Sequence, residues 1–197
     1  SGGYAACAFS VAAPGATVIA FRPQATLDPR SAAFDSRYKA ARRLDFRSRY
    51  AYAPQMIEGA QDVHLFYDPL VAEDAAHAAQ FNQRHVHHHP MRFFGPQPEF
   101  MLDSQDWAER FFALFEQARP SRSELARHLR ERRDSRTYIF RLLDAIGSRR
   151  PYLAALACHN VIQRMDAPRV RKRLAALRKH LAAQGIKMPF DTEDETA

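Results

Sequence analysis

Ser1-Gly2-Gly3-Tyr4 opens the chain. Residues 5–13 continue Ala-Ala-Cys-Ala-Phe-Ser-Val-Ala-Ala, and Pro14-Gly15 leads into Thr17-Val18-Ile19-Ala20-Phe21. Three kinds of local structure follow one another here. Small residues fill 5–13, so a helix there can lie close against a neighbouring surface. Pro14-Gly15 ends that helix. The apolar, β-branched run at 17–21 reads as a buried strand. Glycines at positions 2 and 3 allow the close backbone approach that a sharp turn into such a helix requires. A Ser-x-Gly pattern arises by chance about once in 200 residues. A flexible Ser-Gly-Gly terminus with no chemistry is therefore the competing reading of residues 1–3.

Working outward, strand and helix signals alternate through residue 118. A polar, proline-containing passage covers 22–49, and 53–60 can make a short helix. Val63-His64-Leu65-Phe66-Tyr67 predicts a second strand, stopped by Asp68-Pro69. Residues 72–81 predict a helix, with Glu73 and Asp74 in its first turn, where acids suit the helix dipole. Residues 85–89 predict a third strand, closed by Pro90 and a loop over 90–98. Asp103 or Ser104 can cap a helix running to about 118. Its stripe of Trp107, Phe111, Phe112, Leu114 and Phe115 reads as packing. Alternating strands and helices predict a parallel sheet with helices on its faces. Beyond 119 only helices are expected, at 121–133, 135–147, 150–165 and 168–184. Ser121 or Ser123 can cap the first, and Pro168 fits the first turn of the last. Val170, Leu174, Leu177 and Leu181 share one face of that last helix.

Charge divides the chain in the same place. Residues 1–118 hold 11 Lys and Arg against 13 Asp and Glu, whereas 119–187 hold 18 against 5. The expected organisation is an α/β domain over 1–118, a basic helical region over 119–190 and an acidic, disordered tail over 191–197. Cys7 and Cys158 are too few for a disulfide framework, which suits a reducing, cytoplasmic setting. Residues 4–21 are apolar but broken by Pro14-Gly15, so no membrane span is expected.

Ser1-Gly2-Gly3-Tyr4, the small-residue helix, the strand after it and the strand ending in Asp68-Pro69 together resemble the latter half of an α/β-hydrolase-fold serine hydrolase. The likeness covers about residues 1–118, and the family's motif is Gly-x-Ser-x-Gly on a strand-to-helix turn. The resemblance implies a partial parallel sheet with a C-terminal all-helical extension. It also implies acyl-enzyme chemistry on an ester or amide, with a small-molecule or glycan ester as substrate and no cofactor. Carried over residue by residue, Ser1 is the nucleophile, Asp68 the acid, and the Gly2 N–H an oxyanion donor. The family's histidine follows the next strand, and here the chain departs, because residues 90–98 contain none. His88 or His89, at the strand's end, is left as the candidate base. The second oxyanion donor and the strand before the serine would precede Ser1. A chain lacking both is expected to be marginally stable, prone to aggregate and inactive as an esterase.

Several features have their own alternatives. His85, His87 and His89 share one face of an ideal strand and could ligate zinc. They show no fourth ligand and no carboxylate at fixed spacing, so no metal is assigned to them. Asp28-Pro29 is a rival acid, and His64 reads as a core or edge histidine. Arg127, Arg130, Arg132, Arg133 and Arg136 make a positive surface that suits an acidic partner across 119–187, or a solvated face. The leading functional reading is a serine hydrolase. The runner-up is a catalytically inactive hydrolase fold used for binding or scaffolding. An N-terminal-nucleophile hydrolase and a basic nucleic-acid-binding module complete the field.

Overall fold

Three short runs pair to form the sheet around which the first unit is built. In the computed structural model, which describes residues 2–116, 119–147 and 149–191 (without the Arg42 side chain), β1 (Thr17–Phe21), β2 (Asp62–Tyr67) and β3 (Val86–Pro90) are all parallel. Their order in the sheet is their order in the chain. The register sets Ile19 beside His64 and His64 beside His87, then Phe21 beside Phe66 and Phe66 beside His89. Side chains alternate along a strand, so the register decides which residues share a face.

One face packs on α1 (Gly2–Ala8). Cys7 and Ala8 meet Val18, Ala20, Val63 and Leu65 there, with Ile57 and Phe81 completing a buried cluster. The small residues of α1 are what allow this approach: Gly3 lies so close to the end of β1 that a Cβ on it would overlap the Phe21 carbonyl oxygen. The second face carries rings. Phe66 stacks on Phe21, and both contact Phe111 of α3 (Gln105–Ala113), which also stacks on Trp107. The stripe expected to pack therefore does so, through Trp107 and Phe111, while Phe112 stays exposed.

The long passage between β1 and β2 forms only short 3-10 turns, at Lys39–Arg43, Arg49–Ala51 and Ala53–Gln55. An irregular segment of this length needs its own anchors. Asp35 supplies one. Its buried carboxylate accepts from Arg37 (2.8 Å) and from His77 of α2 (Ala72–Ala78) at 3.1 Å, and Arg37 also reaches Asp74 (2.7 Å). His77 Nδ1 accepts the Ala25 N–H, so its proton sits on Nε2 and points at Asp35.

The chain divides after His128, ten residues beyond the expected boundary. Charge density marks 119 as a change, but packing does not. In α4 (Arg122–Leu129), Leu125 and His128 are buried, and the His128 ring lies 4.5 Å from Trp107. Ser121 and Glu124 close a reciprocal capping box at the start of α4, as the sequence suggests for Ser121. Ser104 does sit at the N-cap of α3, but its side chain makes no capping bond.

The second unit holds α5 (Arg136–Gly147), α6 (Pro151–Ile162) and α7 (Pro168–Ala183). Leu143, Cys158, Val170, Leu174 and Leu181 form its core. Prolines open both α6 and α7, where their missing N–H costs nothing. Ion pairs draw on the basic surface: Arg164 with Asp134, Arg171 with Asp166, Arg173 with Asp144 and Arg178 with Asp191. Among the described residues no helix is long and apolar enough to cross a membrane. Ser1 and residues 192–197 of the expected acidic tail lie outside the described residues.

Candidate functional site

Of the residues that the resemblance singles out, Asp68 follows β2 and His88 and His89 lie near the end of β3, while Ser1 is outside the described residues. Asp68 follows β2 directly and is 1% exposed. One carboxylate oxygen accepts the Leu70 N–H (2.9 Å), which shapes the turn. The other accepts the Gly95 N–H (2.6 Å) from the loop after β3. Gly95 has φ 73°, a conformation that glycine adopts without strain. Arg22, just past β1, also has positive φ, and its guanidinium donates to the Pro96 carbonyl (2.6 Å) and pairs with Glu99. Phe93 is a second non-glycine residue at positive φ. Such conformations cost of order 1–3 kcal/mol and gather at functional edges.

The expected bond from Asp68 to His88 or His89 is not made. These two residues are consecutive on a strand, so they face opposite sides of the sheet. His88 Nε2 pairs with the Phe81 carbonyl (2.9 Å). His89 Nε2 pairs with His64 Nδ1 (2.9 Å), and its ring stacks on Phe66. Gly2 begins α1, and the space beside its Cα is open. The loop after β3 thus brings a backbone N–H to Asp68, where the resemblance implies an imidazole.

A second cluster lies on the ring-bearing face, towards the amino ends of β2 and β3. Asp62 Oδ1 is 2.7 Å from His87 Nε2. Arg119 NH1 approaches His87 Nε2 (3.2 Å) and Asp62 (3.4 Å). The rings of His64 and His87 are 4.9 Å apart, and Phe115 presents its edge to His64 at 4.9 Å. Burial holds His64 down at about 4, and the nearby Arg119 charge adds to it. Burial likewise takes His89 to about 3, with the neighbouring histidines adding to it. Both rings are therefore neutral at pH 7, and one accepts from the other in the bond between them. Burial raises the Asp62 carboxyl, but His87 and Arg119 outweigh it, and the group stays ionised.

This cluster corrects the strand-face expectation for His85, His87 and His89. His87 and His89 do share a face. His85, one residue before β3, instead meets the Ile57 carbonyl (2.9 Å). His64 and Asp62 of the neighbouring strand take its place, and Asp62 is the carboxylate that 85–89 lacks. The missed signal is the pairing of two strands that each carry polar residues at every second position (62 and 64; 87 and 89). No family model, no curated protein and no solved structure matches the chain. Geometry alone therefore carries the functional reading.

Proposed function

We propose that residues 1–128 form a hydrolase-like α/β domain that binds its ligand without turning it over. The observation that carries this reading is the Asp68 carboxylate: buried, and hydrogen-bonded through both oxygens to the backbone of the turn and of the loop after β3. A triad acid has a different task, to orient the imidazole that deprotonates the nucleophile. With His88 and His89 engaged elsewhere, that task has no recipient among the described residues. Positive-φ Arg22 and Phe93 support a binding end at the carboxyl edge of the sheet, the usual place for ligands in open α/β sheets. An ester-bearing small molecule or glycan fits such a module, held and released intact. The arginines of 119–187 support an acidic partner. Buried free thiols at Cys7 and Cys158 support a reducing compartment such as the cytoplasm.

One observation favours acyl transfer instead. Gly3 packs against the end of β1 as the glycine after a nucleophile turn would. The test is labelling with a serine-directed fluorophosphonate. The binding reading predicts no label at Ser1. Labelling at Ser1 that is lost in His89→Ala would establish acyl transfer and remove the binding reading.

A further inference from the structure

We propose that Asp62, His64 and His87 form a binding site for a divalent transition metal, with zinc the best match. The proposal does not rest on the role given to Asp68. Each residue offers one ligand atom, and these atoms all lie within 4.8 Å of one another. Tetrahedral zinc, with bonds of 2.0–2.2 Å, sets its ligand atoms about 3.3 Å apart. The cluster therefore needs to close by at most about 1.5 Å at its widest. At its narrowest, between Asp62 and His87 (2.7 Å), the ion would replace the proton now shared there and open the pair slightly.

The donors decide the class of ion. Two imidazoles and one carboxylate suit zinc and its first-row neighbours, whereas magnesium and calcium favour all-oxygen sites. Three protein ligands leave a fourth position for water or a bound molecule. The ligands sit on paired strands, with His64 beside His87 in register, so the backbone and not a loop fixes their spacing.

His64 adds an independent observation. The side chain is 1% exposed, and among the described residues its Nε2 has no hydrogen-bond partner. A buried polar atom left without a partner destabilises the fold. Ligation through Nε2 meets that need and fixes the tautomer. The proton then sits on Nδ1 and donates to His89 Nε2 at 2.9 Å. Metal-bound histidines typically make an outer hydrogen bond of this kind, which holds the ring in place. His89 is thus a positioning residue.

Arg119 opposes the ion. Its guanidinium lies against both Asp62 and His87, and its side chain is more than half exposed. Solvent-exposed ion pairs contribute little, so the arginine can swing into solvent when a cation arrives. It then acts as a cover, holding Asp62 neutralised without metal and yielding to it. A purely structural ion-pair cluster would give Arg119 the opposite sense.

The test uses the full chain after chelation and dialysis, with Zn2+ followed by calorimetry and Co2+ by its visible spectrum. Nine histidines could bind metal nonspecifically, so variants carry the decision. Asp62→Asn and His87→Gln lie at the rim, and their melting curves verify folding before titration. One equivalent should bind, with the intense bands of four-coordinate Co2+. Each rim variant should weaken binding about 10–100-fold or more. His85→Gln and His88→Gln, whose rings meet backbone carbonyls outside the cluster, should bind as the unaltered chain does. Arg119→Ala should tighten binding. The proposal is overturned if no equivalent binds, if Asp62→Asn and His87→Gln bind unchanged, or if the control variants lose as much. Weaker binding in Arg119→Ala would overturn the cover.

Discussion

Phe111→Ala should destabilise the first unit by about 3–5 kcal/mol, the usual cost of emptying a large aromatic site in a core. Phe111 is fully buried. Its ring contacts Phe21 of β1, Phe66 of β2, Trp107 and Phe115, so it closes the layer between the sheet and α3. Aromatic pairs contribute about 0.5–1.5 kcal/mol each beyond the area they bury, and alanine removes several at once. Native domains are stable by only about 5–15 kcal/mol, so much of the margin goes. Urea unfolding followed by tryptophan fluorescence reads this unit directly, because Trp107 is the chain's single tryptophan and stacks on Phe111. A midpoint that barely moves would mean that the ring layer is not the core of this face.

Asp35→Ala should cost about 1–3 kcal/mol, because it removes the acceptor shared by the buried His77 ring and the partly exposed Arg37. Arg37 would keep its bond to Asp74, and His77 would lose the acceptor for its Nε2 proton. The long passage after β1 should loosen, read as faster amide exchange around residues 24–38. The same network predicts an acid limb. Burial raises the Asp35 carboxyl, but hydrogen bonds from Arg37 and His77 outweigh it and hold it at about 2. The folded value lies below the ordinary carboxylate value, so the unfolded chain binds the proton first. The stabilisation is present above about pH 4 and is lost as pH falls towards 2, amounting to about 2 kcal/mol. His77, which burial depresses despite the Asp35 carboxylate, adds loss in the same direction as pH falls below the imidazole range. In Asp35→Ala the carboxylate part of that limb should vanish. An acid limb identical to that of the unaltered chain would assign the loss to other groups.

Two of the strands were legible because each carries a short, β-branched or aromatic run bounded by turn residues. Thr17–Phe21 is read in full, and Asp62–Tyr67 lacks only its first residue. That one residue matters, since Asp62 is the carboxylate of the histidine cluster. His87 meets it across 25 positions of sequence, and only the register of parallel pairing makes them neighbours. Side-chain period along one strand says which residues share a face, not which strand lies beside it. The clamp on Asp35 was hidden for a related reason. Its partners Arg37 and His77 fall two and 42 positions away, the first within a stretch that has no period of its own. Asp68 was singled out correctly as the residue after β2, but its partner is a backbone N–H, and no side-chain motif announces the Gly95 amide. Charge mispositioned the boundary because α4 is basic outside and apolar inside, and packing follows the inside.

The most direct test of Asp68 as a loop anchor is the unfolding free energy of Asp68→Asn. Asparagine keeps one acceptor oxygen and turns an N–H2 towards the other amide. One buried hydrogen bond is lost, and two donors then face each other. The expected cost is about 2–4 kcal/mol, with faster exchange of the Gly95 amide. A triad acid is held for the imidazole, and its replacement typically removes activity with little loss of stability or a gain. A change within about 0.5 kcal/mol, together with loss of serine labelling, would contradict the anchoring role and return Asp68 to catalysis.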